Sequence, residues 1–159
     1  MNVDSQLLSA RELPTAERFI EAPAEAVFDA WITASLVETW WGPDGFSTKV
    51  HELDARPAGR YAFEMIAPSG NSCMMSGHYR TVERPHLLVF EVSDHCNLDL
   101  PGDVEAQTET SLVTVKFAPK NGKTHVLLTH TDLNRDYSWL AVASWAQSLE
   151  KSALALFTD

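Results

Sequence analysis

The chain has 159 residues, 45% hydrophobic and 21% charged, a composition that fits one globular domain and excludes a disordered chain. Its 22 acidic and 12 basic residues leave a formal net charge of −10 with no Lys/Arg cluster, so no nucleic-acid partner and no anionic membrane surface is expected. The longest apolar runs, Trp139 to Ala143 and Ala153 to Phe157, fall far short of the ~18 residues that span a bilayer.

Met1 to Leu13 is polar with scattered leucines. It lacks the basic start and apolar stretch of a signal peptide and is expected to be a flexible N-terminal segment, residues 1–13, ahead of one domain over 14–159. Cys73 and Cys96 are the two cysteines. Two free thiols in an unexported chain fit a reducing compartment, so a cytoplasmic location is expected; a single bridge between them stays open.

Glu17 to Glu21 reads as a short strand. Pro23 can sit in the first turn of a following helix, in which Val27, Phe28 and Trp31 recur at helical spacing. A second short helix is predicted over Ala34 to Trp40, ended by the turn Trp40 to Gly45. Strands are then predicted over Phe46 to Asp54, Arg60 to Ile66, Met74 to Glu83 and Leu87 to Ser93, with Gly, Pro or Asn in the gaps. Ser111 to Phe117 and Thr124 to His130 alternate around Asn121-Gly122, a strong hairpin signal.

The last element is a helix from Ser138 to Phe157, capped by Asp136 or Ser138. Val142, Trp145, Leu149, Ala153 and Leu156 form its apolar stripe. Consecutive strands with short turns give an antiparallel sheet. The economical packing is an α+β domain with the long helix laid across a curved sheet and the short helices closing one end.

These residues carry a resemblance. Glu17 to Ile32 (ERFIEAPAEAVFDAWI), Trp40 to Phe46 (WWGPDGF), Glu52 to Met65 (ELDARPAGRYAFEM), Gly77 to Glu91 (GHYRTVERPHLLVFE) and Ser144 to Leu156 (SWAQSLEKSALAL) are similar to the bacterial relatives of the Aha-type activators of the heat-shock-protein ATPase. That family lies within the START-like, helix-grip superfamily, with the Bet v allergens and polyketide cyclases. The resemblance runs from about Pro14 to Phe157 and implies a helix-grip fold with an apolar cavity between sheet and long helix. Ala58 stands where the family pattern has the first glycine of RPGG. No catalytic motif is shared across the Aha-type branch, so no catalytic residue is carried over.

The cavity candidates are Trp40, Trp41, Tyr61, Phe63, Met65, Met74, Tyr79, Phe90, Phe117 and Trp145, weighed against a solid core made of the same side chains. Glu64 and His78 differ in parity from Tyr61, Phe63, Met65, Gly77 and Tyr79, which puts them on the outer face. His51, His78, His86, His95, His125 and His130 show no metal-ligand spacing, so neither a metal nor a cofactor is expected. His130 shares a strand face with Val126 and Leu128, and Asp132 lies two residues further. The pair is a weak acid–base candidate, and the simpler reading is a hydrogen-bonded strand-end histidine.

Ser93 to Thr110 holds five acids and no base, and is expected to be the most mobile part of the domain. It reads either as a solvated excursion or as a lid that buries Leu98 and Leu100 near Trp40 or Trp41. The expected function is binding of a small hydrophobic or amphipathic ligand. The alternatives are a protein-interaction module, with a protein partner or a homodimer, and a cyclase-like or hydrolytic enzyme using the same cavity.

Overall fold

The computed structural model of the chain describes residues 15–157, so the segment expected to be flexible lies outside the described residues. The elements are β1 (Ala16–Ile20), α1 (Ala24–Ile32), α2 (Ala34–Trp40), β2 (Ser47–Leu53), β3 (Arg60–Ile66), β4 (Ser72–Glu83), β5 (Leu87–Val92), β6 (Ser111–Lys120), β7 (Lys123–Thr131) and α3 (Arg135–Leu156). The seven strands form one sheet in the order β1-β7-β6-β5-β4-β3-β2. Every neighbouring pair is antiparallel. With the long C-terminal helix α3 packed on the curled sheet, this is the expected α+β helix-grip fold.

Local chemistry accounts for the punctuation. Lys120 pairs with Lys123, so Asn121-Gly122 alone makes the β6–β7 turn. Both turn residues have positive φ, the conformation that matches the twist of a two-residue hairpin. Pro23 caps α1 rather than entering its first turn, and Val27, Phe28 and Trp31 are buried as expected.

The helix α3 begins three residues earlier than predicted. Its cap is Asn134, whose side chain accepts from the Tyr137 N–H, and not Asp136 or Ser138. Its buried face is Ala141, Trp145, Ser148, Leu149, Ser152 and Ala153. Val142 falls beside that face and is 43% exposed, which corrects the predicted stripe. Small residues on the true face let α3 lie close to α2 and β1.

The core sits between the concave face of the sheet and the helices. Tyr61, Phe63, Leu88, Phe90, Val113, Val115, Phe117, Val126 and Leu128 alternate into it. Four of the five tryptophans cluster there: Trp31 meets Trp40 edge-on at 4.8 Å and stacks on Trp145 at 5.9 Å, and Trp41 meets Trp145 edge-on at 5.3 Å. Such pairs add ~0.5–1.5 kcal/mol each beyond their burial. Glu64 stands on the outer face, as its parity requires, and bonds to His51 at 2.8 Å.

Candidate ligand cavity

One end of this core is not filled. A cavity of about 570 Å³ opens between the sheet and the N-terminal half of α3. Its floor is sheet: Met65, Met75, Val92 and His130. Its roof is α3: Tyr137, Leu140, Ala141, Ser144 and Trp145. Trp41 to Pro43 with Phe46 close one side, and His95 to Pro101 (without Asn97) close the other.

The Trp-Trp-Gly-Pro turn is held in place by α3. Gly42 adopts a positive φ of 105°, which any other residue would resist. The Lys151 ammonium reaches the carbonyls of Gly42, Pro43 and Phe46 at 3.2–3.3 Å. Gln147 accepts from the Asp44 N–H at 2.9 Å. The turn is therefore bolted to the helix that roofs the cavity.

The opposite wall is the acidic segment, and it is laced down rather than loose. Cys96 forms a disulfide with Cys73 of β4, their Cα atoms 5.3 Å apart. The bridge replaces the expected free thiols. Asn97 and Gln107 exchange hydrogen bonds at 2.9 and 3.1 Å. Gln107, only 4% exposed, also donates to the carbonyls of Glu109 and Asp132 and accepts from the Asn134 N–H. The Tyr137 hydroxyl donates to the Cys96 carbonyl at 2.8 Å. These bonds join parts of the segment to β4 and to the start of α3, while Pro101 to Asp103 and Thr108 to Thr110 stand exposed. Leu98 and Leu100 are half-buried in the cavity wall that Trp41 also lines.

Across the floor runs a chain of hydrogen bonds that no local pattern announces. The Trp145 indole N–H donates to His130 Nδ1 at 3.0 Å. An indole N–H only donates, so Nδ1 carries no proton, and neutral His130 holds its proton on Nε2. That N–H donates to Ser111 Oγ at 2.7 Å. Ser111 Oγ lies 2.6 Å from His95 Nε2 and satisfies its own proton by donating there. His95 Nδ1 is buried and without a partner. Burial pushes His130 down to about 3, with His95 adding to the effect. Burial pushes His95 down to about 4. Both rings are neutral at neutral pH, as the chain of donors requires.

The ten cavity candidates divide. Trp41, Met65 and Trp145 line the cavity. Tyr61, Phe63, Tyr79 and Phe90 meet Trp31 and Leu88 in a region with no room for a water molecule, so they are solid core. Trp40 and Phe117 are buried in the aromatic cluster around Trp31, and the Trp40 indole donates to the Ala30 carbonyl at 3.0 Å. Met74 is a correction: it is 40% exposed, and its neighbour Met75 turns inward. The parity of Tyr79 on the same strand selects Met75, so the signal was present. Asp132 is also a correction. The strand β7 ends at Thr131 and Asp132 takes a positive φ, so alternation stops before it and it stands exposed, not joined to His130. The ring of His130 has both nitrogens engaged within the fold, by Trp145 and Ser111.

Sequence reasoning missed the wall made by Val92, Tyr137 and Leu140 and the buried anchors Ser111 and Gln107. Among the described residues, no group of three or more His, Cys, Asp or Glu could hold a metal ion, and no helix is long and apolar enough to cross a membrane.

Residues 21–155 match the family described as activator of Hsp90 ATPase homolog 1-like proteins. The chain belongs to that family. Its fold recurs in solved structures of bacterial proteins. A Chromobacterium violaceum protein aligns with TM-score 0.73 and 23% identity over 91% of this chain and 96% of its own. The AHSA1 protein of Silicibacter pomeroyi aligns with TM-score 0.71 and 27% identity, covering 89% and 94%. An AHSA1-like protein of Aeromonas hydrophila gives 0.67 and 23%, covering 87% and 89%. Among curated proteins none matches.

Proposed function

We propose that the chain binds a small apolar or amphipathic molecule in the cavity under the N-terminal half of α3. The supporting observation is a contrast within one core. Around Trp31, Tyr61 and Phe90 the side chains close without a void, yet a few ångströms away they leave about 570 Å³. A wall of Trp41, Met65, Met75, Val92, Leu98, Leu100 and Leu140 offers water few partners and offers an apolar ligand many. The volume lies in the ~300–1,000 Å³ range of small-molecule sites. Two methionines suit a wall that accommodates ligands of varied shape. Apolar ligands are common in this fold family, which agrees with the reading.

Trp41 and Trp145 line the cavity and report on it directly. Titration of lipids, polyketides and aromatic compounds should quench or shift tryptophan emission at saturable stoichiometry and raise Tm. Ser144→Phe, which fills the cavity from its roof, should abolish both effects while far-UV circular dichroism stays native. A broad panel that leaves emission and Tm unmoved would overturn the proposal.

A further inference from the structure

The charge pattern of the cavity selects among ligands. Of the residues that line it, Asp99 alone carries a formal charge, and it sits exposed at the rim. No lysine or arginine lines it. Lys151 turns its ammonium toward the carbonyls of Gly42, Pro43 and Phe46 on the wall, and Arg135, exposed at the start of α3, is not among the lining residues. Arg18, Arg56, Arg60, Arg80, Arg84 and Lys123 are paired with carboxylates elsewhere. The two histidines of the wall are linked through Ser111 as neutral rings. The segment that forms the near wall carries Asp94, Asp99, Asp103, Glu105 and Glu109 without a base.

An anionic head drawn into this space would lose its water and gain no counter-charge. Burying an unpaired carboxylate or sulfonate is among the costliest steps a binding site can require. The acidic rim adds repulsion on approach. An uncharged ligand meets neither penalty, and an amine can leave its charge at the rim beside Asp99.

Building on the binding proposal, we infer that the cavity is selective for uncharged or cationic apolar molecules and rejects their anionic counterparts. Fatty acids, acyl phosphates and sulfonated amphiphiles are then not its ligands; alcohols, ketones, esters, polycyclic hydrocarbons and hydrophobic amines are.

The test uses two dyes that differ by one group. N-phenyl-1-naphthylamine is neutral, and 8-anilino-1-naphthalenesulfonate is the same framework with a sulfonate. Decanol and decanoate serve as competitors at pH 7.5. The neutral dye should bind at least tenfold more tightly than the sulfonate, and decanol should displace it at least tenfold better than decanoate. Leu98→Lys places a cation in the wall and separates charge from shape. It should raise the ratio of sulfonate to neutral-dye affinity, and of decanoate to decanol affinity, at least fivefold. Equal or tighter binding of the anions by the native protein overturns the inference, as does a Leu98→Lys protein that is folded by circular dichroism and shows no rise in these ratios. If none of the four compounds binds, the binding proposal itself is refuted, and the selectivity with it.

Discussion

Replacing Trp145 by phenylalanine isolates the hydrogen bond that starts the relay under the cavity. The native indole is 6% exposed, stacks on Trp31 and donates to His130 Nδ1 at 3.0 Å. Phenylalanine keeps an aromatic ring and removes the donor. A buried acceptor left without a partner costs ~1–3 kcal/mol. The smaller ring buries roughly 50 Å² less, worth ~1 kcal/mol at ~25 cal/mol per Å². His130 borders the cavity, so a water can reach part of the gap and holds the first cost to its lower half. The expected loss is about 2–3 kcal/mol, or a Tm drop of about 5–10 °C for a domain of this size. Urea unfolding with the disulfide intact measures it. A double-mutant cycle with His130→Leu then reads the bond alone. Removing both partners should cost at least ~1 kcal/mol less than the sum of the single changes. Strict additivity would show that the indole and the imidazole do not interact, and the proton assignments along Trp145, His130, Ser111 and His95 would fall with it.

The same relay predicts a pH profile. Unfolded histidines take up protons near 6.5, whereas folded His95 and His130 do so only near about 4 and about 3. The unfolded state therefore binds more protons in between, and stability, full above pH 6.5, falls as pH drops through that window. Asp29 and Glu64, held below their ordinary values by Arg84 and His51, add to the loss only below about pH 4.5. Urea midpoints that are flat from pH 7 to 5 would contradict the burial of both rings, and His130→Leu should reduce the slope. Ala58, at φ 70°, holds a left-handed conformation that costs an alanine ~1–2 kcal/mol. Less the greater freedom that glycine gains on unfolding, Ala58→Gly should stabilise by ~0.5–1 kcal/mol in the same assay; a destabilised variant would refute that account. The Cys73–Cys96 bridge closes a loop over a sequence separation of 23, so the Cys73→Ser/Cys96→Ser protein should lose ~2–4 kcal/mol. It should also bind cavity ligands more weakly, because Leu98 and Leu100 hang on that anchor; thiol titration of the native protein should find no free thiol until it is reduced.

Periodicity along the chain was enough to read the seven strands, the Asn121-Gly122 hairpin and the long amphipathic helix, because each depends on neighbours within a few residues. The inward set Tyr61, Phe63 and Met65 followed from alternation alone, and the same rule applied strictly would have chosen Met75 over Met74. The cavity is a different kind of fact. Whether ten aromatic and methionine side chains fill a space or leave one depends on the distance between α3 and the sheet, which no local pattern encodes. The relay draws on His95 from a loop, Ser111 and His130 from two strands and Trp145 from a helix, none adjacent in the chain. Composition marked Ser93 to Thr110 as charged and therefore loose. Gln107 and Cys96 fasten it, through partners up to 41 residues away, because a buried amide must satisfy every donor and acceptor it carries and a thiol pairs only with the thiol that the fold brings beside it.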